Sequence, residues 1–117
     1  MLNLNHKRLD TWKLSIDFIE MIYSITDKFP SSELFGLTSQ LRRAAVSVSS
    51  NIAEGSSRSS SKDRKRFFEM ARSSLVEIDT QFAIAVRLNF VDQDTLNSLD
   101  ELLNKLFAML TNLGVKT

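Results

Sequence analysis

The 117-residue chain contains no cysteine, one proline, three glycines, one histidine, one tryptophan and one tyrosine. Without cysteine there is no disulfide framework, no thiolate zinc site and no thiol nucleophile. The single histidine, His6, lies in the polar N-terminal segment MLNLNHKRLDTWK and reads as an exposed tail residue. A Ser-His-Asp arrangement therefore lacks its base, a zinc site lacks its ligands, and the Glu-x-x-His pairs of a di-iron bundle are absent. Gly55 is followed by serines without the lysine spacing of a phosphate-cradling loop. Glu77 and Asp79, two residues apart, fall on different sides of a helix, and Asp100 and Glu101 sit in a solvated run. These readings lead to no expected catalytic residue, metal site or cofactor.

Long apolar runs are also missing. No stretch approaches the ~20 residues that span a bilayer, and charges occupy the place of a secretory apolar core, so a cytoplasmic chain away from membranes is expected. Scarce glycine and proline favour a few long helices over many short strands.

Hydrophobic residues make up 43% of the sequence, which suits one domain over residues 1–117. Helical periodicity then divides the chain. A first helix is expected from about Thr11 to Phe29, capped by Asp10 and stopped by Pro30. Trp12, Ile16, Ile19 and Tyr23 form one apolar stripe there, and Leu14, Phe18, Met21 and Ile25 a second. A second helix follows from Thr38 to Glu54, with Gly55 as its C-cap and Leu37, Leu41, Ala44, Val48 and Ile52 in register. Its many small residues invite a close neighbour. GSSRSSSK reads as an exposed, mobile connector that offers Ser60 or Ser61 as the next N-cap. A third helix is predicted from Lys62 to Leu88, with Phe67, Ala71, Leu75, Ile78, Phe82 and Ala85 inward. After a turn at Asn89–Val91, Asp92 caps a fourth helix whose leucines run from Leu96 to Leu113, ending at Gly114. Short connections force antiparallel neighbours. The expected fold is all-α, an antiparallel up-down-up-down four-helix bundle.

Two polar features interrupt this pattern. Arg42, Arg43, Asn51, Glu54 and Glu77 are expected to form a structural polar network that sets helix register. In an antiparallel hairpin Arg43 lies level with Glu77, and Glu54 with Arg64 or Lys65. Arg58, Lys62, Arg64, Lys65, Arg66 and Arg72 stand against only Asp63 and Glu69, a local charge of +4 in a chain whose net charge is +1. That concentration is the footprint of phosphate contacts, so these six residues are the nucleic-acid-binding candidates.

FPSSELFGLTSQLRRAAVSVSSNIAEGSSR, residues 29–58, and ARSSLVEIDTQFAIAVRLNF, residues 71–90, resemble the bacterial four-helix-bundle family of 23S ribosomal RNA intervening sequences. Trp12 and the Ile22-Tyr23 pair fit the same pattern, as do Gln40, Arg42, Arg43, Asn51, Glu54, Gly55, Glu77, Thr80 and Gln81. Ser49 stands where the family often has proline, Phe35 where it has tyrosine, and Ser73 where it has glycine. The resemblance implies a homopentameric ring and a kinship with the RNA-associated accessory proteins of diversity-generating retroelements. It brings no established catalytic role. The expected function is a non-enzymatic, self-associating scaffold or adaptor, whose partners are its own copies and an RNA or protein. The alternative is an RNA-binding accessory protein that uses residues 58–72. Apolar residues such as Phe18, Met21 or Phe107 are expected to supply the contact between copies.

Overall fold

A computed structural model describes residues 1–117. It holds α1 (Asp10–Thr26), α2 (Leu37–Ser57), α3 (Ser61–Arg87) and α4 (Gln93–Lys116), with short 3-10 turns at Asn5–Arg8 and Ser31–Glu33 and no strand. Helices consecutive in sequence pack on one another and α1 closes onto α4, so the cross-section is a square with no diagonal pair of neighbours. The α1–α2 edge therefore lies opposite the α3–α4 edge. The four-helix architecture expected from periodicity is present.

Its core is one cluster contributed by all four helices. Leu41, Ala44, Val48 and Ile52 of α2 are buried as expected, and so are Leu96, Leu99, Leu103, Leu106 and Leu110 of α4. In α1 the inward line differs from both anticipated stripes. It runs Thr11, Ser15, Phe18, Ile22 and Thr26, whereas Ile16 and Tyr23 are exposed. Ser15 and Thr26 are tolerated there because their hydroxyls are bonded. The Ser15 hydroxyl donates to the Trp12 carbonyl (2.6 Å) and lies 2.7 Å from that of Ser49, while Thr26 donates to the Ile22 carbonyl (2.7 Å). In α3, Phe68 takes the buried place expected for Phe67, which is only half-buried.

Helix ends follow local chemistry. The Ser60 hydroxyl accepts the Asp63 N–H (3.1 Å), and Asp92 accepts both the N–H (2.8 Å) and the hydroxyl (2.7 Å) of Thr95. The Asp92 carboxyl is held below its ordinary value of 3.8 by the Thr95 hydroxyl and then its N–H. That contribution is complete above this value and fades as pH falls below it. Asn89 is left-handed (φ 62°), with Phe90 N–H on the Ala85 carbonyl (2.9 Å) and Asn89 N–H on that of Val86 (3.0 Å). This is a Schellman stop, and asparagine tolerates it better than most residues.

Three boundaries correct the sequence reading. Asp10 begins α1 rather than capping it; the cap position is Leu9, which gives no side-chain bond, and the Asp10 carboxylate sits in the first turn beside the positive helix end. The same helix ends at Thr26, because Lys28 and Phe29 switch to tighter bonds on Ile25 and Thr26 and swing Phe29 inward. There Phe29 meets Phe82 edge-on (6.4 Å) and Phe90 (5.8 Å). Gly55 is not a C-cap. It is a buried helical residue, and α2 continues to Ser57.

The reason is close approach. A Cβ on Gly55 would stand 2.7 Å from the Phe68 ring and 3.2 Å from the Phe67 Cβ. Nothing lies near a Cβ built on Gly114, which is helical as well. Gly55→Ala is therefore expected to lower unfolding free energy in urea by about 1–3 kcal/mol through overpacking. Gly114→Ala should leave it unchanged or raise it by up to ~1 kcal/mol. Equal effects at both positions would contradict the close-approach account.

Candidate functional site

Three surfaces carry the chemistry that the fold leaves unspent. The first is the polar seam between α2 and α3. Ser47 accepts from the Ser74 hydroxyl (3.2 Å) and from Asn51 Nδ2 (3.0 Å). Gln81, although buried, donates to Gln40 Oε1 (3.4 Å) and Glu77 Oε1 (3.2 Å), and its own Oε1 has no partner. Arg43 and Glu77 line one shallow hollow of about 440 Å³ but form no ion pair. Glu54 pairs with Arg58 on the next turn (3.0 Å), not with Arg64 or Lys65. Hydroxyls and amides thus tie the two helices where ion pairs were expected. Small side chains meet across the seam, and the exposed charges stay in water, where a pair is worth little.

Arg42 does tie elements together. Its Nε donates to Thr26 Oγ1 (2.9 Å), its second amino group reaches Asp27 Oδ1 (2.9 Å) and the Tyr23 carbonyl (3.4 Å), and the guanidinium lies 4.5 Å over the Tyr23 ring. One planar fork thereby joins α2 to the C-terminal end of α1.

The second surface is the basic segment. Arg58 is paired with Glu54 and stacked on Phe67 at 4.7 Å. Arg64 donates to the carbonyls of Arg58 (3.1 Å) and Ser59 (2.8 Å), and the link between α2 and α3 is only Arg58–Ser60, shorter than the connector expected. Arg72 is paired with Glu69 (2.8 Å) and lies 4.6 Å over Phe107 of α4. Arg66 sits at the edge of the Phe67 ring at 5.5 Å and borders a hollow on the α2 side. Lys62 and Lys65 are exposed. The six cations therefore divide between the α2 side and the α4 side of α3, and Lys62, Lys65 and Arg66 have no carboxylate partner. His6 also departs from expectation, packing edge-on against Trp12 at 5.2 Å.

The third surface is apolar, and sequence reasoning missed it. Phe35 is 93% exposed, and with Leu34, Tyr23 and Val46 it lines a groove of about 450 Å³ bordered by Arg42 and Arg43. Phe18, expected at a contact between copies, is fully buried; Met21 and Phe107 are half-buried. An aromatic beside Gly36 in a connection has no periodicity to betray it. Across the molecule, between α3 and α4, a cleft of about 350 Å³ is floored by Phe82, Ala83, Val86, Leu96 and Leu103 and rimmed by Asp79, Arg87, Gln93 and Asp100. No three metal-ligating side chains converge anywhere, and no helix is long and apolar enough to cross a membrane.

Because Asp27 is largely exposed, its ion pair contributes little, while the Thr26 contact of Arg42 is partly shielded. Arg42→Lys should cost about 1–2 kcal/mol in urea unfolding, since an ammonium cannot reproduce the fork. Asp27→Ala should cost less than ~0.5 kcal/mol. The reverse ranking would transfer the role to the ion pair.

A protein-family model described as 23S rRNA-intervening sequence protein matches residues 7–112. No curated protein matches the chain. The matched span takes in all four helices apart from the last residues of α4. The chain belongs to the 23S rRNA-intervening sequence protein family.

Proposed function

We propose that this protein is a non-enzymatic, self-associating bundle that works as a scaffold or adaptor in the cytoplasm, assembled as a homopentameric ring. The observation that supports self-association is the apolar groove around Phe35. A phenyl ring 93% exposed, flanked by Leu34, Tyr23 and Val46, is a surface that a folded chain gains by covering. The number of copies follows the family resemblance carried by residues 29–58 and 71–90. A cysteine-free core is indifferent to a reducing compartment. Light scattering or native mass spectrometry of the purified chain should give a mass of five protomers. A protomer mass at every concentration would overturn the reading.

A second reading, an RNA-binding accessory protein, is favoured by one observation. Lys62, Lys65 and Arg66 stand on the first two turns of α3 without carboxylate partners. Repetition around a ring would multiply that charge despite a protomer charge of only +1. Titrated with a single-stranded RNA oligonucleotide, such a protein loses affinity with salt at a slope of about −0.7 per phosphate contacted. Replacing Lys62, Lys65 and Arg66 with glutamine should flatten that slope. An unchanged slope would remove this segment as the site.

A further inference from the structure

We propose that the contact between copies is heterologous, with Phe35 of one protomer seated in the α3–α4 cleft of the next. The inference rests on the self-association reading above and names the two surfaces that meet. Phe35 is presented by a stiff turn rather than a loose loop. Gly36 N–H bonds the Glu33 carbonyl (3.0 Å), and the Glu33 carboxylate accepts the Leu37 N–H (3.1 Å) at the start of α2. A Cβ on Gly36 would meet that carboxylate at 2.9 Å, so the turn closes tightly behind the ring. A turn whose backbone is already held loses little freedom on docking.

The cleft offers the complementary shape. Phe82, Val86, Leu96 and Leu103 give it an apolar floor, and Ala83, with only a methyl group, leaves the opening between them. Position agrees with shape. Phe29, at the base of the connection that bears Phe35, touches Phe82 and Phe90, so knob and cleft lie at the same end of the bundle. They occupy opposite edges of the square. Copies joined this way stand side by side without a step along the helix axis.

Charge selects this pairing over a symmetric one. Arg42 and Arg43 border the knob, and Arg43 has no ion pair within its own chain. The cleft rim carries Asp79 and Asp100 against one cation, Arg87. Two Phe35 grooves placed face to face would bring four arginines together, whereas knob against cleft sets cations beside carboxylates. A contact that uses different surfaces on its two sides is the kind that closes into rings.

The test uses the purified full chain and two variants, Phe35→Asp and Ala83→Arg, both at exposed positions. Each alone should run at the protomer mass with the wild-type helical circular dichroism and unfolding midpoint. Mixed, they should form a one-to-one dimer and nothing larger, because one knob and one cleft remain intact. If either variant fails to fold, Arg43→Glu should weaken assembly and Arg43→Glu with Asp79→Arg in the same chain should restore it. A wild-type assembly that survives both variants puts the interface elsewhere and leaves self-association standing. Dissociation by Phe35→Asp but not by Ala83→Arg points to a symmetric contact and overturns the inference. A wild-type chain that never associates removes the reading beneath it.

Discussion

The bundle depends on how closely α2 and α3 approach. Gly55 beneath the Phe68 ring leaves no room for a larger side chain between the two backbones, and farther along Ser47 meets Ser74 directly. Close approach has two consequences. It buries Ile52, Leu75 and Ile78 completely, and it fixes register by steric fit where ionic pairing was anticipated. A one-turn slip would press Phe68 against a helical turn that carries Cβ atoms. Such a clash discriminates between registers more sharply than exposed ion pairs, whose worth is small.

The opposite end is held differently. Phe29, Phe82 and Phe90 pack together where the α1–α2 connection crosses the α3–α4 turn, and Arg42 secures the end of α1 to α2. Aromatic contact and a planar guanidinium both constrain direction as well as distance. The turn from Ser31 to Gly36 follows directly on that clamp and is closed by the Glu33–Gly36 backbone bond. Phe35 is exposed because the turn has no remaining inward direction, its neighbours Leu37 and Phe29 having taken the core.

Much of this was legible in the sequence, for physical reasons that differ by element. The leucines of α4 and the apolar line of α2 repeat with helical period and have no competing stripe, so their burial followed directly. Ser60 and Asp92 precede apolar runs at cap spacing, and they cap. The first helix misled because two apolar stripes competed and the true inward line includes Ser15 and Thr26, whose hydroxyls are satisfied by backbone and by Ser49. Hydrophobicity cannot reveal a polar residue made harmless by a bond from a distant helix. Gly55 misled for a related reason: a glycine that ends a helix and one that admits a phenyl ring look alike until the partner's position is known. The candidate interface was the least legible. Phe35 lies outside any periodic segment, and the α3–α4 cleft exists only once two helices are packed.

The shape of the protomer bears on why covered surfaces matter here. Its extents are 44 × 28 × 19 Å, a slab rather than a sphere, with a radius of gyration of 14.6 Å against about 13.4 Å for a typical domain of this length. Its accessible surface is 7192 Å², whereas a monomeric protein of 13.3 kDa exposes about 6,450 Å². A slab one bundle thick has broad faces that its four helices, all spent on the square, do not cover. Apolar residues on those faces remain in water in the isolated protomer, Phe35 and Val46 on the α1–α2 edge and Ile84 one turn beyond Gln81, where α3 faces α2. The proposed edge-to-edge contact would cover the Phe35 patch and the α3–α4 cleft together. A nearly neutral, thin bundle with an aromatic knob on one edge and an acidic-rimmed apolar cleft on the other thus carries the two complementary surfaces that the proposed contact between copies requires.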